Sequence, residues 1–205
     1  MSTALPRLSH AERTELSDAK MLAAAVDLIV TRGVQGTTLK EVGTLAGYSR
    51  GLAGYRFGSK PGLFEYVLRA VSDHWLAELT KVTQGKLGLD AICAATDSHF
   101  RFCKVAPKPV QAFYALWFAA ADPEVGLREV ISGIHTRRRR DVEEWILKDP
   151  ATSSGVRMSA SGIAGQFVSA IIGIVYQWVI DGKDIGTIEE LHSDLKNNMT
   201  LLLGR

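Results

Sequence analysis

Residues 36–64 read GTTLKEVGTLAGYSRGLAGYRFGSKPGLF, and this stretch decides how the N-terminal third folds. Thr38 carries a side-chain oxygen able to cap free N–H groups, and Leu39, Val42 and Leu45 follow at inward helical spacing. Gly47 breaks that helix. Ser49 is then expected as a second N-cap, opening a short helix that ends near Tyr55. The chain turns again around Gly58, and a long helix is expected from about Lys60 to Val82. Its apolar stripe is Leu63, Phe64, Val67, Leu68, Val71, Trp75 and Leu79. Two short helices parted by a glycine-containing turn form the compact pair that presents its second helix to a DNA major groove. By spacing alone, many small helical domains share such a pair.

Outward from this stretch the helical spacing continues. Upstream, Ser17 to Thr31 places Met21, Ala24, Ala25, Leu28 and Ile29 on one face, and Gly33 stops the helix. Residues 1–16 read as a polar tail. Downstream, helices are expected over Leu89 to Lys104, Val110 to Ala121, Glu124 to Lys148, Ser159 to Ile180 and Thr187 to Leu203. A loop around Asp149-Pro150 and Thr152 to Gly155 interrupts them. Strand and hairpin signals are nearly absent. The fold class is all-α with about nine helices, divided as a tail (1–16), a three-helix domain that carries the short helix pair (17–64), and a larger helical domain (65–205).

Composition excludes several classes. The chain is 46% hydrophobic and 22% charged, ordinary for a globular protein. No apolar run reaches the roughly 18 residues of a membrane span, and the N-terminus lacks a secretory pattern, so a cytoplasmic protein is expected. Catalytic elbows, zinc-protease helices, phosphate-binding glycine loops and His/Cys clusters are missing, so neither an enzyme nor a cofactor or metal is expected. Cys93 and Cys103 read as a redox pair or, more simply, as two small buried hydrophobes. Residues 1–60 carry eight lysines and arginines against five acids, a mild surplus that suits nucleic acid. The run Arg137 to Arg140 points around a helix rather than along one face, so a solvated surface is expected over a second nucleic-acid patch.

Three ordered segments then carry a family resemblance: Gly36-Thr37-Thr38-Leu39-Lys40-Glu41-Val42, Ala46-Gly47-Tyr48-Ser49-Arg50-Gly51, and Tyr55-Arg56-Phe57-Gly58-Ser59-Lys60-Pro61-Gly62-Leu63-Phe64. Together they resemble the N-terminal domain of TetR-family regulators over roughly residues 17–68. The resemblance implies a homodimeric regulator that binds double-stranded operator DNA and releases it when a small effector binds. Phosphate contacts are expected from Thr38, Lys40, Ser49 and Lys60. Base or groove contacts are expected from Arg50, Gly51, Leu52, Ala53, Gly54 and Tyr55. Two positions depart from the family pattern. Gly54 stands where the family has a phosphate-touching tyrosine. Arg56 replaces its histidine and is expected to compensate at a phosphate.

The remainder offers candidates for the other two roles. Trp75, His99, Phe102, Phe113, Tyr114, Trp117, Phe167, Ile171 and Tyr176 are expected to line a pocket for a hydrophobic or aromatic effector, with core packing as the plain alternative. Cys103 and Phe118 belong to the same wider set. The last two helices offer Phe167, Ile172, Val175, Val179, Leu191, Leu195 and Met199 as a four-helix dimer interface, or as core within one subunit.

Overall fold

The computed structural model describes residues 9–49, 51–153, 158–182 and 184–203. Arg50, a predicted DNA contact, lies outside them. The chain divides into two compact units, Met1–Val67 and Leu68–Arg205. Among the described residues there is no strand. Apart from a single turn at Pro150–Ser153, the described residues form nine α-helices and one 3-10 turn.

In the first unit, α1 spans His10–Gly36, so the expected polar tail is shorter than 1–16. A reciprocal cap explains the early start. Ser9 Oγ accepts the Glu12 N–H at 3.2 Å, and Glu12 Oε2 accepts the Ser9 N–H at 2.7 Å. Met21, Ala24, Ala25, Leu28 and Ile29 are buried as their spacing predicts. Gly33 interrupts the helix with φ 75°, a left-handed value favouring glycine.

Helix α2 is Leu39–Leu45, and Thr38 caps it, its hydroxyl accepting the Glu41 N–H at 3.3 Å. The helix ends in a full Schellman turn: Tyr48 N–H donates to Gly43 O at 2.9 Å, and Gly47 N–H to Thr44 O at 3.1 Å. Gly47, at φ 80°, supplies the left-handed residue that this turn needs. Helix α3 is Leu52–Phe57, starting two residues later than a Ser49 cap implies. Gly51 is its N-cap, with no side-chain hydrogen bond; Ser49 contributes only its carbonyl, which accepts Leu52 N–H at 3.1 Å.

Helix α4, Lys60–Thr83, runs unbroken from the first unit into the second. There it is followed by α5 (Gly88–Val105), α6 (Pro107–Ala119), the 3-10 turn Pro123–Val125, α7 (Arg128–Lys148), α8 (Pro150–Ser153), α9 (Ala160–Asp181) and α10 (Ile185–Leu202). The prolines at 107 and 109 open α6 rather than merely ending α5, since a first-turn proline forfeits no helical bond. Asp149-Pro150, expected as loop, begins the one-turn α8. Packing closes a ring in which α5 meets α7, α7 meets α9, α9 meets α10 and α10 meets α5. Helix α9 is long and apolar enough to span a membrane by composition. Its buried residues Ile163, Ala164, Phe167, Val168, Ile174, Val175 and Trp178 instead face this ring.

Two glycines separate close packing from local freedom. A Cβ at Gly62 would fall inside the Phe57 carbonyl oxygen, whereas one at Gly54 would meet nothing within 4 Å. Gly62→Ala should therefore destabilise the first unit by about 1–3 kcal/mol. Gly54→Ala should be neutral or stabilising by up to about 1 kcal/mol, because alanine favours the helix. Urea unfolding followed by far-UV circular dichroism would check this pair, and equal shifts of one sign would contradict the packing.

Candidate functional site

The outward face of α2 and α3 is built from few side chains. Tyr55 is 88% exposed on α3, and Leu45, expected inward, is 54% exposed on α2. Thr38, Lys40, Ser49 and Gly51 are also exposed, while Leu52 and Gly54 are half-buried. Ala53 corrects the reading. It is fully buried and faces α2, where a Cβ at Gly43 would lie 3.5 Å from the Ala53 methyl. A six-residue helix must turn its smallest side chain inward to pack this closely, so Ala53 reads no base.

Three expected phosphate ligands are already engaged within the unit. Arg56 pairs with Asp18 of α1, which ties α3 to α1 and removes the proposed compensation for the family histidine. Lys60 Nζ donates to the Gln35 carbonyl at 2.8 Å, neutralising the last turn of α1, and stands 5.5 Å from the Phe64 ring centre. The Thr38 hydroxyl donates to Glu41 Oε2 at 2.8 Å, and Glu41 also holds Arg32 at 2.6 Å. An acid therefore occupies the N-terminus of α2. Lys40 and Ser49 keep exposed positions.

In the second unit, eight of the nine expected pocket residues line one apolar cavity: Trp75, His99, Phe102, Phe113, Tyr114, Trp117, Phe167 and Ile171. Tyr176 does not join them. It is 47% exposed and packs edge-on against Phe118 at 5.0 Å. Cys103 is buried behind His99, its sulfur 4.0 Å from Nδ1, and burial pushes its thiol up to about 12. Both cysteines are free, so no redox pair forms. Sequence reasoning missed Arg138, Asp141 and Trp145, all of which line the cavity. Arg138 also corrects the solvated reading of the arginine run: its guanidinium carbon sits 3.7 Å from the Trp75 ring centre. One residue in four consecutive helical positions had to face inward, but nothing in the run says which.

Residues 21–67 match the family model described as bacterial regulatory proteins, tetR family. The HTH-type transcriptional regulator RutR of Escherichia coli K12 is 39% identical over 72 residues, 35% of this chain and 34% of RutR. The match thus spans about a third of that relative's length. The HTH-type transcriptional regulator BetI of Burkholderia cenocepacia is 28% identical over 178 residues, 84% of this chain and 87% of BetI. A transcriptional regulator from Rhodococcus sp. Rha1 has a similar fold, with TM-score 0.76 at 21% identity over 91% of this chain and 96% of its own. The N-terminal part of the chain thus matches the tetR-family model, and the chain is similar to regulators of that kind over most of its length.

In the second unit, four of the seven candidate dimer residues are spent inside the protomer. Phe167, Val175, Leu195 and Met199 are each no more than 5% exposed, because α9 and α10 pack on each other and on the ring. Ile172 lines the pocket, and Val179 and Leu191 are half-buried. The exposed positions of α9 instead include Gln166, Ser169, Tyr176, Gln177 and Ile180, with Gly165 and Gly173 half-buried among them.

A polar chain leads from the pocket into α10, and its proton positions follow from one fixed acceptor. The Ile188 carbonyl accepts only, so His192 Nδ1–H donates to it at 2.5 Å. With His192 neutral, its Nε2 must accept from His99 Nδ1–H at 2.9 Å. His99 Nε2 then accepts the Tyr114 hydroxyl at 3.1 Å. Burial is the main cause holding both imidazoles below their ordinary value of 6.5, His99 most strongly. The unfolded chain therefore binds protons that the native chain does not. Stability is full above about pH 6.5 and falls as pH drops below it. The melting temperature should be level from about pH 8 to 7 and decline towards about pH 5, with a shallower decline in His192→Gln. A wild-type curve that stays flat to about pH 5 would refute the neutral chain.

Proposed function

We propose that this chain is a ligand-responsive transcriptional repressor: a homodimer that holds operator DNA through α2 and α3 and releases it when a hydrophobic or aromatic effector enters the pocket of the second unit. The observation that carries DNA recognition is Tyr55, a large apolar ring 88% exposed on the second helix of a family-matched helix-turn-helix. So exposed a side chain at this place in the helix pair is free to meet a groove, which offers thymine methyls and sugar edges. Leu45 and Gly51 widen that contact, and Lys40 and Ser49 supply phosphate partners. Arg50, adjacent to this surface in sequence, belongs to the same proposal.

Short recognition helices bind tightly only in pairs on a two-fold operator, with half-sites about 34–36 Å apart. The exposed side of α9 is the surface for that pairing, because Gly165 and Gly173 have nothing within 4 Å of a built Cβ. Effector binding would favour a conformer whose paired α3 helices no longer match the half-site spacing. A cytoplasmic, nucleoid-associated location goes with this role.

Selection from a random duplex pool, followed by fluorescence anisotropy, would identify the operator. Tyr55→Ala should then weaken operator binding by about 1–3 kcal/mol, and Lys40→Ala should reduce the salt dependence by about one counterion. Undiminished affinity in Tyr55→Ala would remove α3 as the reading element. Gly173→Glu should leave the protomer folded, since the space is open, and should yield monomers in analytical ultracentrifugation with loss of operator binding. A dimeric Gly173→Glu would place the interface elsewhere.

A further inference from the structure

Most of the pocket wall is aromatic or aliphatic, yet Arg138 stands in it. Among the described residues it makes no ion pair and donates no hydrogen bond; its close neighbour is the Trp75 ring, 3.7 Å away. Stacking occupies the face of a guanidinium, while its N–H donors spread in the plane and are left free for an acceptor. Trp75 adds a second, independent sign. Its indole Nε1–H is buried and has no acceptor. Buried donors are normally satisfied, and an orphan beside a free guanidinium marks a place where an acceptor belongs. Burial pushes Arg138 down to about 10, so the group stays cationic at neutral pH.

We propose that the pocket takes an organic carboxylate, its anionic head held by Arg138 beside the Trp75 N–H and its apolar body among Phe113, Tyr114, Trp117 and Phe167. The inference rests on the ligand-sensing reading above and narrows its effector class. A lone arginine balances a single negative charge, and guanidinium and carboxylate match edge to edge. Asp141 also lines the pocket without an ion pair, three residues beyond Arg138, and burial raises its carboxyl above the usual range. Its charge opposes an anion, which disfavours a doubly charged head and leaves a monoanion as the fitting ligand. Charges on Arg137 and Arg139 lie outside the pocket lining, on exposed positions of α7.

Isothermal titration of the full-length chain with 3-phenylpropionate, decanoate, their primary amides and the matching amines would test this. The acids should bind roughly tenfold or more tightly than the amides, the difference expected of a charge-assisted hydrogen bond. Arg138→Gln should lose that preference while still binding the amides, Arg138→Lys should keep part of it, and Asp141→Asn should tighten the acids. Circular dichroism would confirm that each variant is folded. Amides or amines that bind the wild type as tightly as the acids would overturn the carboxylate proposal alone. So would undiminished acid binding by Arg138→Gln. Should that variant not fold, the wild-type series together with Arg138→Lys and Asp141→Asn decides. No binding by any of the three series would overturn the ligand-sensing reading as well.

Discussion

The close approach of backbone to backbone around α3 is the constraint on which the first unit depends. Gly43 lets α2 meet α3, Gly47 turns the chain between them, and Gly62 lets α4 begin under the Phe57 carbonyl. A helix of six residues has little stability of its own, so these contacts hold it rather than its intrinsic propensity. The polar residues around it serve the same end. Arg56 clamps α3 to α1, and Lys60 closes the last turn of α1. What is left exposed is consequently sparse: one tyrosine, one leucine and a few small or basic groups.

This division of labour explains what could be read from the residues alone. Glycines with positive φ and capping threonines act on their immediate neighbours, so Gly33, Thr38 and Gly47 were legible as punctuation. Long helices repeat their apolar face often enough for the period to be unambiguous, as in α1 and α4. In α2 and α3 there are fewer than two turns each, and the period cannot separate in from out. Leu45 and Ala53 were exchanged for that reason. Arg56 and Lys60 carry the right chemistry for phosphate, but their partners Asp18 and Gln35 are distant in sequence, and only the folded chain brings them together.

The second unit was legible in kind rather than in detail. Aromatic residues on the middle helices do surround one cavity, although their spacing equally suits a core. Helix α9 is apolar on most sides, so its sequence does not distinguish the face that packs on α7 and α10 from the face left open. The histidines show the limit most clearly. His99 was noticed for its polarity, but its function as the middle of a chain depends on His192, which lies on another helix. Each link in that chain fixes the proton of the next, because it ends on a carbonyl that only accepts.

All four tryptophans of this protein lie in the second unit, and Trp75, Trp117 and Trp145 border the pocket. Their emission therefore forms a built-in optical reporter with a defined field of view. Anything that enters the pocket changes the surroundings of three indoles at once, while the first unit, which has no tryptophan, is dark at the same wavelength. Quenching or a spectral shift on adding a compound can be assigned to the second unit without any label. Loss of structure in the other half must be followed by a different signal, such as the tyrosines at 48, 55 and 66.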